Sequence, residues 1–352
     1  MIRVGLVGFG MAGRVFHAPL ISSVEGLELA AVVERSSDHA EQRYPGITIY
    51  RSVDELLADS TIKLVVVATP NATHFEIAMR VLEAAKSVVV DKPSAVSSQE
   101  IAQLMELSGA VGLQFIPFHN RRWDSDFRTV QNVLHEKSVG SLVHFESTFD
   151  RWRAGASSRA WKDEPDQGGT LLDLGTHLVD QALTLFGLPE SLGAEVRHER
   201  EGDAGNDAFS IRLHYFTNVS VTVSANSLAS LARPRFHLRG TKGNYWKWGL
   251  DLQEDALGKI ARIESPDWGK EPAEHWGTLC VESDSSLVTQ TVEPAVGDYR
   301  LFYAGVRDAL LGNGKPPIAG IDAWRTARVL EWALESSKAH HDVECDWSNE
   351  PQ

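Results

Sequence analysis

The first thirteen residues constrain the fold more than any other stretch. Arg3 to Val7 is a short branched apolar run, and Gly8-Phe9-Gly10-Met11-Ala12-Gly13 follows it directly, ahead of a helical pattern. Glycine tolerates backbone angles and close approaches that a Cβ forbids, so three of them at this spacing turn a strand tightly into a helix amino end. Gly8 permits the turn, Gly10 lets an anion approach the backbone, and Gly13 lets the helix pack close to the strand; Phe9, Met11 and Ala12 complete the loop. Glu34 closes the second apolar run, where a ribose-hydroxyl acceptor belongs, and Arg35 beside it is placed to stack on an adenine or to pair with a 2′-phosphate. The pattern predicts a dinucleotide site and leaves NAD and NADP both open.

The rest of the first 120 residues repeats this grammar. Branched runs at 27–33, 48–50, 64–68, 88–90 and 112–116 alternate with helical patterns; between Thr73 and Ala85, for example, Phe75, Ala78, Met79 and Leu82 share one helical face. Runs of this kind suit strands buried on both faces, and parallel neighbours require right-handed crossovers. The expectation is an α/β chain whose amino-terminal part is a Rossmann-type, doubly wound parallel sheet in the order 3-2-1-4-5-6. After Asn120 come a helical pattern at 127–134, a long strand at 141–152, a polar loop to Gly168-Gly169, and a helix. From 194 to 248 the text alternates with period two, as in Val219-Ser220-Val221-Thr222-Val223, so this part reads as an α+β domain with an open, largely antiparallel sheet. Residues 249–296 read as irregular, and helices close the chain at 299–311 and 322–340. The division expected is 1–119 for dinucleotide binding and 120–352 for substrate binding and oligomerisation. All ten tryptophans fall in the second part, where core or interface packing is the simplest account and a sugar-stacking pocket the sharper one.

Composition excludes several classes. At 43% hydrophobic and 23% charged residues the chain is neither disordered nor fibrous, and 352 residues exceed what one core usually organises. A net charge of −14 repels a phosphate backbone, so nucleic acid is not an expected partner. The apolar run from Leu64 to Ala68 is far too short to span a bilayer, and glycines interrupt the apolar stretch at 2–13 that could pass for a signal peptide. Cys280 and Cys345 belong to no paired motif, which argues against a structural zinc site and fits a reducing, cytoplasmic compartment.

Two further motifs stand at strand carboxyl ends, where doubly wound sheets place their ligands: Thr69-Pro70-Asn71-Ala72-Thr73-His74 and Asp91-Lys92-Pro93. Asn71-Ala72-Thr73 also matches a glycosylation acceptor, but a cofactor-facing loop is the better reading. Together with Gly168 to His177 (GGTLLDLGTH) these stretches resemble the glucose-fructose oxidoreductase and inositol dehydrogenase family, Gfo/Idh/MocA, over nearly the whole chain. The resemblance is tightest with its NADP-dependent scyllo-inositol dehydrogenase branch, through Phe118 to Phe127 (FHNRRWDSDF) and Trp276-Gly277-Thr278-Leu279. It implies an NAD- or NADP-dependent oxidoreductase acting on CH–OH groups of a sugar, inositol or related polyol, and a homodimer or homotetramer built through the second sheet. It also implies that Lys92 holds the nicotinamide ribose and the reacting oxygen, and that Asp173 and His177 are the substrate-orienting group and the acid–base. The family's usual Glu-Lys-Pro is Asp91-Lys92-Pro93 here.

The residues support that chemistry independently. Hydride leaves a carbinol carbon only as its hydroxyl proton is removed, and a histidine titrating near neutrality suits the task. Asp173 and His177, four apart, differ by only about 40° around a helix, so both address one substrate. The bland alternative is a merely solvated polar face. Gly168-Gly169 weigh against it by allowing a close backbone approach to a flat ligand. Lys92 at a strand end can stabilise a developing alkoxide. Asn120, Arg121 and Trp123 are candidates for holding a polyol, although Arg121 and Arg122, being adjacent, are not both expected to enter one cleft. Trp161 is a candidate for the cofactor's surroundings. His17 reads as packing, with Pro19 shortening or kinking its helix, and His340-His341 as a solvated helix end. No metal is required by this chemistry. Two rival functions are a non-catalytic dinucleotide-sensing regulator on the same fold, and a methyltransferase with a glycine-rich loop.

Overall fold

The computed structural model describes residues 1–155, 169–201, 205–259 and 263–351. Six strands form a wholly parallel sheet: β1 Ile2–Val7, β2 Leu27–Val33, β3 Thr48–Tyr50, β4 Leu64–Val67, β5 Ser87–Val90 and β6 Phe115–Pro117. Their order is β3-β2-β1-β4-β5-β6, as expected. Every residue of β4 and β5 is buried, because helices cover both faces. The direction of winding reverses between β1 and β4, which leaves a crevice beyond their carboxyl ends. One boundary moves. Gly112, expected to open a strand, sits at φ 67° and caps the helix Ser98–Val111 with its N–H, so β6 begins only at Phe115.

The first helical segment departs from regularity in the way Pro19 suggests. Gly13–His17 is a π-helical turn, and an α-helix, Ala18–Ser23, starts afresh with the proline in its first turn, where the missing N–H costs nothing.

Nine strands form the second sheet: β7 Leu142–Asp150, β8 Ser191–Arg197, β9 Ala208–His214, β10 Ser220–Asn226, β11 Phe236–Gly240, β12 Gly243–Lys247, β13 Gly277–Ser283, β14 Ser286–Val292 and β15 Val343–Glu344. The order is β14-β13-β12-β11-β7-β10-β9-β8-β15, antiparallel throughout except for the parallel pair β7 and β10. Residues 249–296 are not irregular: they contain the helix Gln253–Gly258 and the β13–β14 hairpin. The hairpin escapes a pattern search because nearly all of β14 is exposed and because Asp284 and Ser285, not glycines, take the positive φ angles of its turn.

Along the central strands alternate residues divide between two faces. Phe145 and Phe149 of β7, Val221 and Val223 of β10, Phe236 and Leu238 of β11, and Tyr245 of β12 are buried in one cluster with Leu178 and Val179 of the helix Thr176–Phe186 and Val329 and Leu330 of the helix Gly320–Ala339. His144, Glu146, His237 and Trp246 point the other way. The chain then returns to the first sheet: Tyr299, Phe302, Tyr303 and Val306 join the cluster that contains Leu20 and Phe118. His17 is buried there, its Nδ1 2.7 Å from the Tyr303 hydroxyl.

The tryptophans serve mainly as packing. Trp268, Trp324 and Trp332 are buried, Trp347 packs edge-on against Trp332 at 4.8 Å, and Trp152, Trp246 and Trp248 are exposed. None of the described tryptophans lines the cleft considered next. Among the described residues no helix is long and apolar enough to cross a membrane.

Candidate active site

A cleft of about 720 Å³ opens between the carboxyl ends of the parallel strands and the helices behind the second sheet. Its cofactor-side wall is Gly10, Met11 and Ala12 from the glycine loop, Thr69, Pro70 and Asn71 after β4, and Asp91 and Lys92 after β5. Asn120 and Arg121 after β6 continue the wall, and Asp173 and His177 face it. Most residues singled out in the sequence therefore converge on one cavity.

The glycine loop is built as a cradle. Gly8 has φ 96°, and a Cβ there would lie 2.8 Å from the Ala68 carbonyl oxygen; one on Gly13 would lie 2.1 Å from the Gly8 carbonyl oxygen. Nothing stands within 4 Å of the place a Gly10 Cβ would occupy, so that peptide is open to the cleft. A strand end, an unobstructed peptide and a helix start at the switch point fit a pyrophosphate. Gly8, Phe9 and Gly13 shape this loop without lining the cavity. Phe9 is buried edge-on to Tyr44, with ring centres 6.4 Å apart.

Lys92 Nζ donates to Asp173 Oδ1 at 2.7 Å and to the Asp173 carbonyl oxygen at 2.8 Å, joining the strand end to the opposite wall. The carbonyl is within reach because Leu171–Gly175 is a π-helical turn leading into Thr176–Phe186. His177 is buried, and its pKa lies well below the ordinary histidine value: burial is the main cause, Lys92 and Arg121 add to it, and Asp173 opposes it. The imidazole is therefore neutral at neutral pH and able to accept a proton. Asp91 accepts from the Lys92 N–H at 2.8 Å. Burial alone would raise its carboxyl, but His17 and Lys92 outweigh burial and hold it below the usual range.

Adjacent arginines part company, although they lie in a single helical turn, Asn120–Trp123, and not in an extended stretch. Arg122 turns away and holds Asp180 through two hydrogen bonds of 2.8 and 2.6 Å, while His119 Nδ1 donates to the same carboxylate at 2.6 Å. Asp180, next on the stripe after Asp173 and His177, is thus a buried anchor outside the cavity. Arg121 is the one that reaches the cleft, held by Asp124 at 3.1 Å and Glu254 at 2.5 Å.

Several sequence-predicted residues take other places. Trp123 packs against Phe302, ring centres 5.7 Å apart, and does not line the cleft. His74 is buried between two loops, Nδ1 2.7 Å from the Pro93 carbonyl oxygen and Nε2 2.8 Å from that of Thr69, so it braces the walls from behind. Gly169 lines the cleft with φ 85°, and a Cβ there would lie 2.6 Å from the Asn206 side-chain nitrogen. Trp161 and Gly168 lie outside the described residues. Glu34 stands at the end of β2 with Oε1 accepting from Ser37 Oγ and Oε2 from the Ala40 N–H, both at 2.7 Å. Arg35 beside it is exposed, and neither lines the cavity.

The cleft also contains residues that the sequence reading passed over. Arg151 and Arg153, at the end of β7, Arg200 and Asn206 all line it. Arg151 lies over the Phe149 ring at 4.4 Å, and burial, with Arg153 next, lowers its pKa to about 10. The available signal was Asp150-Arg151-Trp152-Arg153, paired cations at the end of a long strand in an acidic chain.

A glycine cradle at the switch point, a buried neutral imidazole and a lysine–carboxylate pair share one cavity, the arrangement of a nicotinamide-dependent oxidoreductase. Residues 2–119 match the Gfo/Idh/MocA oxidoreductase family's NAD-binding Rossmann fold, and residues 127–246 match the same family's carboxyl-terminal domain. The chain belongs to that family. It is 38% identical to the uncharacterized oxidoreductase YdgJ of Escherichia coli over 96% of each chain. It is 30% identical to the NADP(+)-dependent scyllo-inositol 2-dehydrogenase IolW of Bacillus subtilis, over 97% of this chain and 95% of that one. A crystal structure from Bacteroides fragilis superposes with a TM-score of 0.91 at 38% identity, covering 98% of this chain and all of that one. The match to an NAD-binding family closes the methyltransferase reading.

Proposed function

We propose that this protein interconverts a secondary alcohol and a ketone on a sugar, inositol or related polyol, with NADP as the preferred cofactor. When bound, the nicotinamide accepts or supplies the hydride. In the oxidising direction a nitrogen of the His177 imidazole takes the hydroxyl proton, Lys92 Nζ stabilises the charge developing on the reacting oxygen, and Asp173 fixes both Lys92 and a neighbouring hydroxyl. Arg121 and Arg151 present N–H donors toward further hydroxyls, which suits a ligand with many acceptors. The observation that carries this reading is the shared cavity of the Lys92–Asp173 pair and neutral His177 beside the glycine loop.

The choice of NADP rests on Arg35, exposed at the strand end where a 2′-phosphate would lie, beside Glu34, whose carboxylate already accepts from Ser37 and the Ala40 N–H. IolW, a relative, uses NADP(+). We further propose that the open face of the second sheet, with Trp246 and Trp248 exposed, seats a second copy in a dimer or tetramer, and that the unpaired Cys280 and Cys345 fit a cytoplasmic setting. The test is nicotinamide reduction over a panel of inositols, sugars and other polyols with NADP and with NAD. Turnover of at least one member, faster with NADP, is expected; tight cofactor binding with no turnover of any member would favour the sensing regulator instead.

A further inference from the structure

We propose that His144, Glu146 and His237 form a binding site for one divalent transition-metal ion of the zinc class on the open face of the nine-stranded sheet. Two residues apart on β7, His144 and Glu146 share a face, and the antiparallel register sets His237 of β11 directly opposite Glu146. Their available donor atoms all lie within 4.8 Å of one another. Ligands held about 2.0–2.2 Å from one zinc stand roughly 3.3 Å from one another, so the three donors have to draw together by up to about 1.5 Å to share an ion. Two imidazoles and one carboxylate select zinc, nickel or copper over magnesium or calcium, which prefer oxygen alone.

The surroundings support a site. All three side chains are half-buried in the single chain and stand on the face proposed above to seat a second copy, so an ion there would lose part of its water and lie at the contact between copies. The imidazole rings are 5.5 Å apart, and Trp246 packs on His237 at 5.3 Å, limiting where that ring can turn. Glu146 accepts from Arg233 Nη1 at 3.3 Å through Oε1, leaving Oε2 for the ion and holding the carboxylate in place. Arg233 and Arg239 also oppose a cation, so the site binds more weakly than a closed four-ligand structural one. None of the three residues lines the cleft, so the ion has no part in the hydride chemistry.

Calorimetric titration of chelator-treated protein lacking any histidine tag, with zinc alone, tests this. One zinc per chain is expected, and His144→Ala with His237→Ala should weaken it about tenfold or more, since even outer-shell partners are worth that much. Glu146→Gln provides a second, gentler variant that leaves the shape of the face unchanged. A control changing the exposed His340 and His341 to Ala should bind as the wild type does. Absence of stoichiometric zinc, or binding undiminished in both site variants, overturns the proposal whatever the outcome of the polyol panel.

Discussion

His177 is where environment and chemistry meet most directly. Burial and the cations Lys92 and Arg121 depress its pKa, so the folded protein holds it neutral to lower pH than a free histidine, which titrates near about 6.5. The acid limb of the oxidation rate should accordingly fall below about pH 6.5, and His177→Ala should both remove that limb and lower kcat about 10²–10⁴-fold. A pH–rate profile of the two proteins checks this; an unchanged limb in the variant would assign it to another group. Arg35 yields a second expectation at this scale. If it meets a 2′-phosphate, Arg35→Ala should weaken NADPH about ten- to hundredfold, the worth of one charge-assisted contact, while leaving NADH nearly untouched. Fluorescence titration with both nucleotides separates the outcomes, and equal losses for both would return the ribose to Glu34.

At the scale of elements, the glycine loop is the part of the site most sensitive to one added carbon. Gly13→Ala would place a Cβ 2.1 Å from the Gly8 carbonyl oxygen, forcing the turn apart, so cofactor affinity should fall at least about tenfold and the thermal midpoint should drop. Calorimetric titration with the nucleotide measures the first and a melting curve the second; an unperturbed variant would mean the loop does not hold the pyrophosphate. This element was fully legible in the sequence, as were all six parallel strands, because a buried strand announces itself by a run of branched residues and a tight turn by its glycines. Lys92, Asp173 and His177 stood out through the family resemblance, which the strand-end position of Lys92 and the four-residue spacing of Asp173 and His177 supported; that Asp173 lies in a π-helical turn was not foreseen. Arg151 and Arg153 were not, since nothing local says that the end of β7 lies across from the first sheet. The hydrogen bonds of Glu34 to Ser37 and Ala40 were hidden too, because those partners meet it only once the loop has folded. The two π-helical turns, at Gly13–His17 and Leu171–Gly175, carry no compositional mark at all.

Across the whole molecule, charged groups join the two sheets around the cleft. Arg122 and His119 clamp Asp180, burial notwithstanding, so its carboxyl lies far below the usual range. A carboxylate with a depressed pKa contributes stability that is complete above its unfolded value near 3.9 and is lost as the pH falls through the folded value. Asp180→Asn should thus destabilise the protein at neutral pH by about 3–5 kcal/mol, as breaking a buried pair does, and should flatten the fall in melting temperature on acidification. Thermal unfolding across a pH series reads both effects; a variant as stable as the wild type would show the clamp to be dispensable. The second bridge, Lys92 to Asp173, lies at the reacting centre, and the account as a whole depends on what it faces. A crystal structure of the protein with NADP bound tests that most directly. The nicotinamide ring is expected inside the cleft, its reactive carbon within about 3–3.5 Å of a space bounded by Lys92, Asp173 and His177. A ring seated elsewhere, with His177 and Lys92 remote from it, would contradict the account.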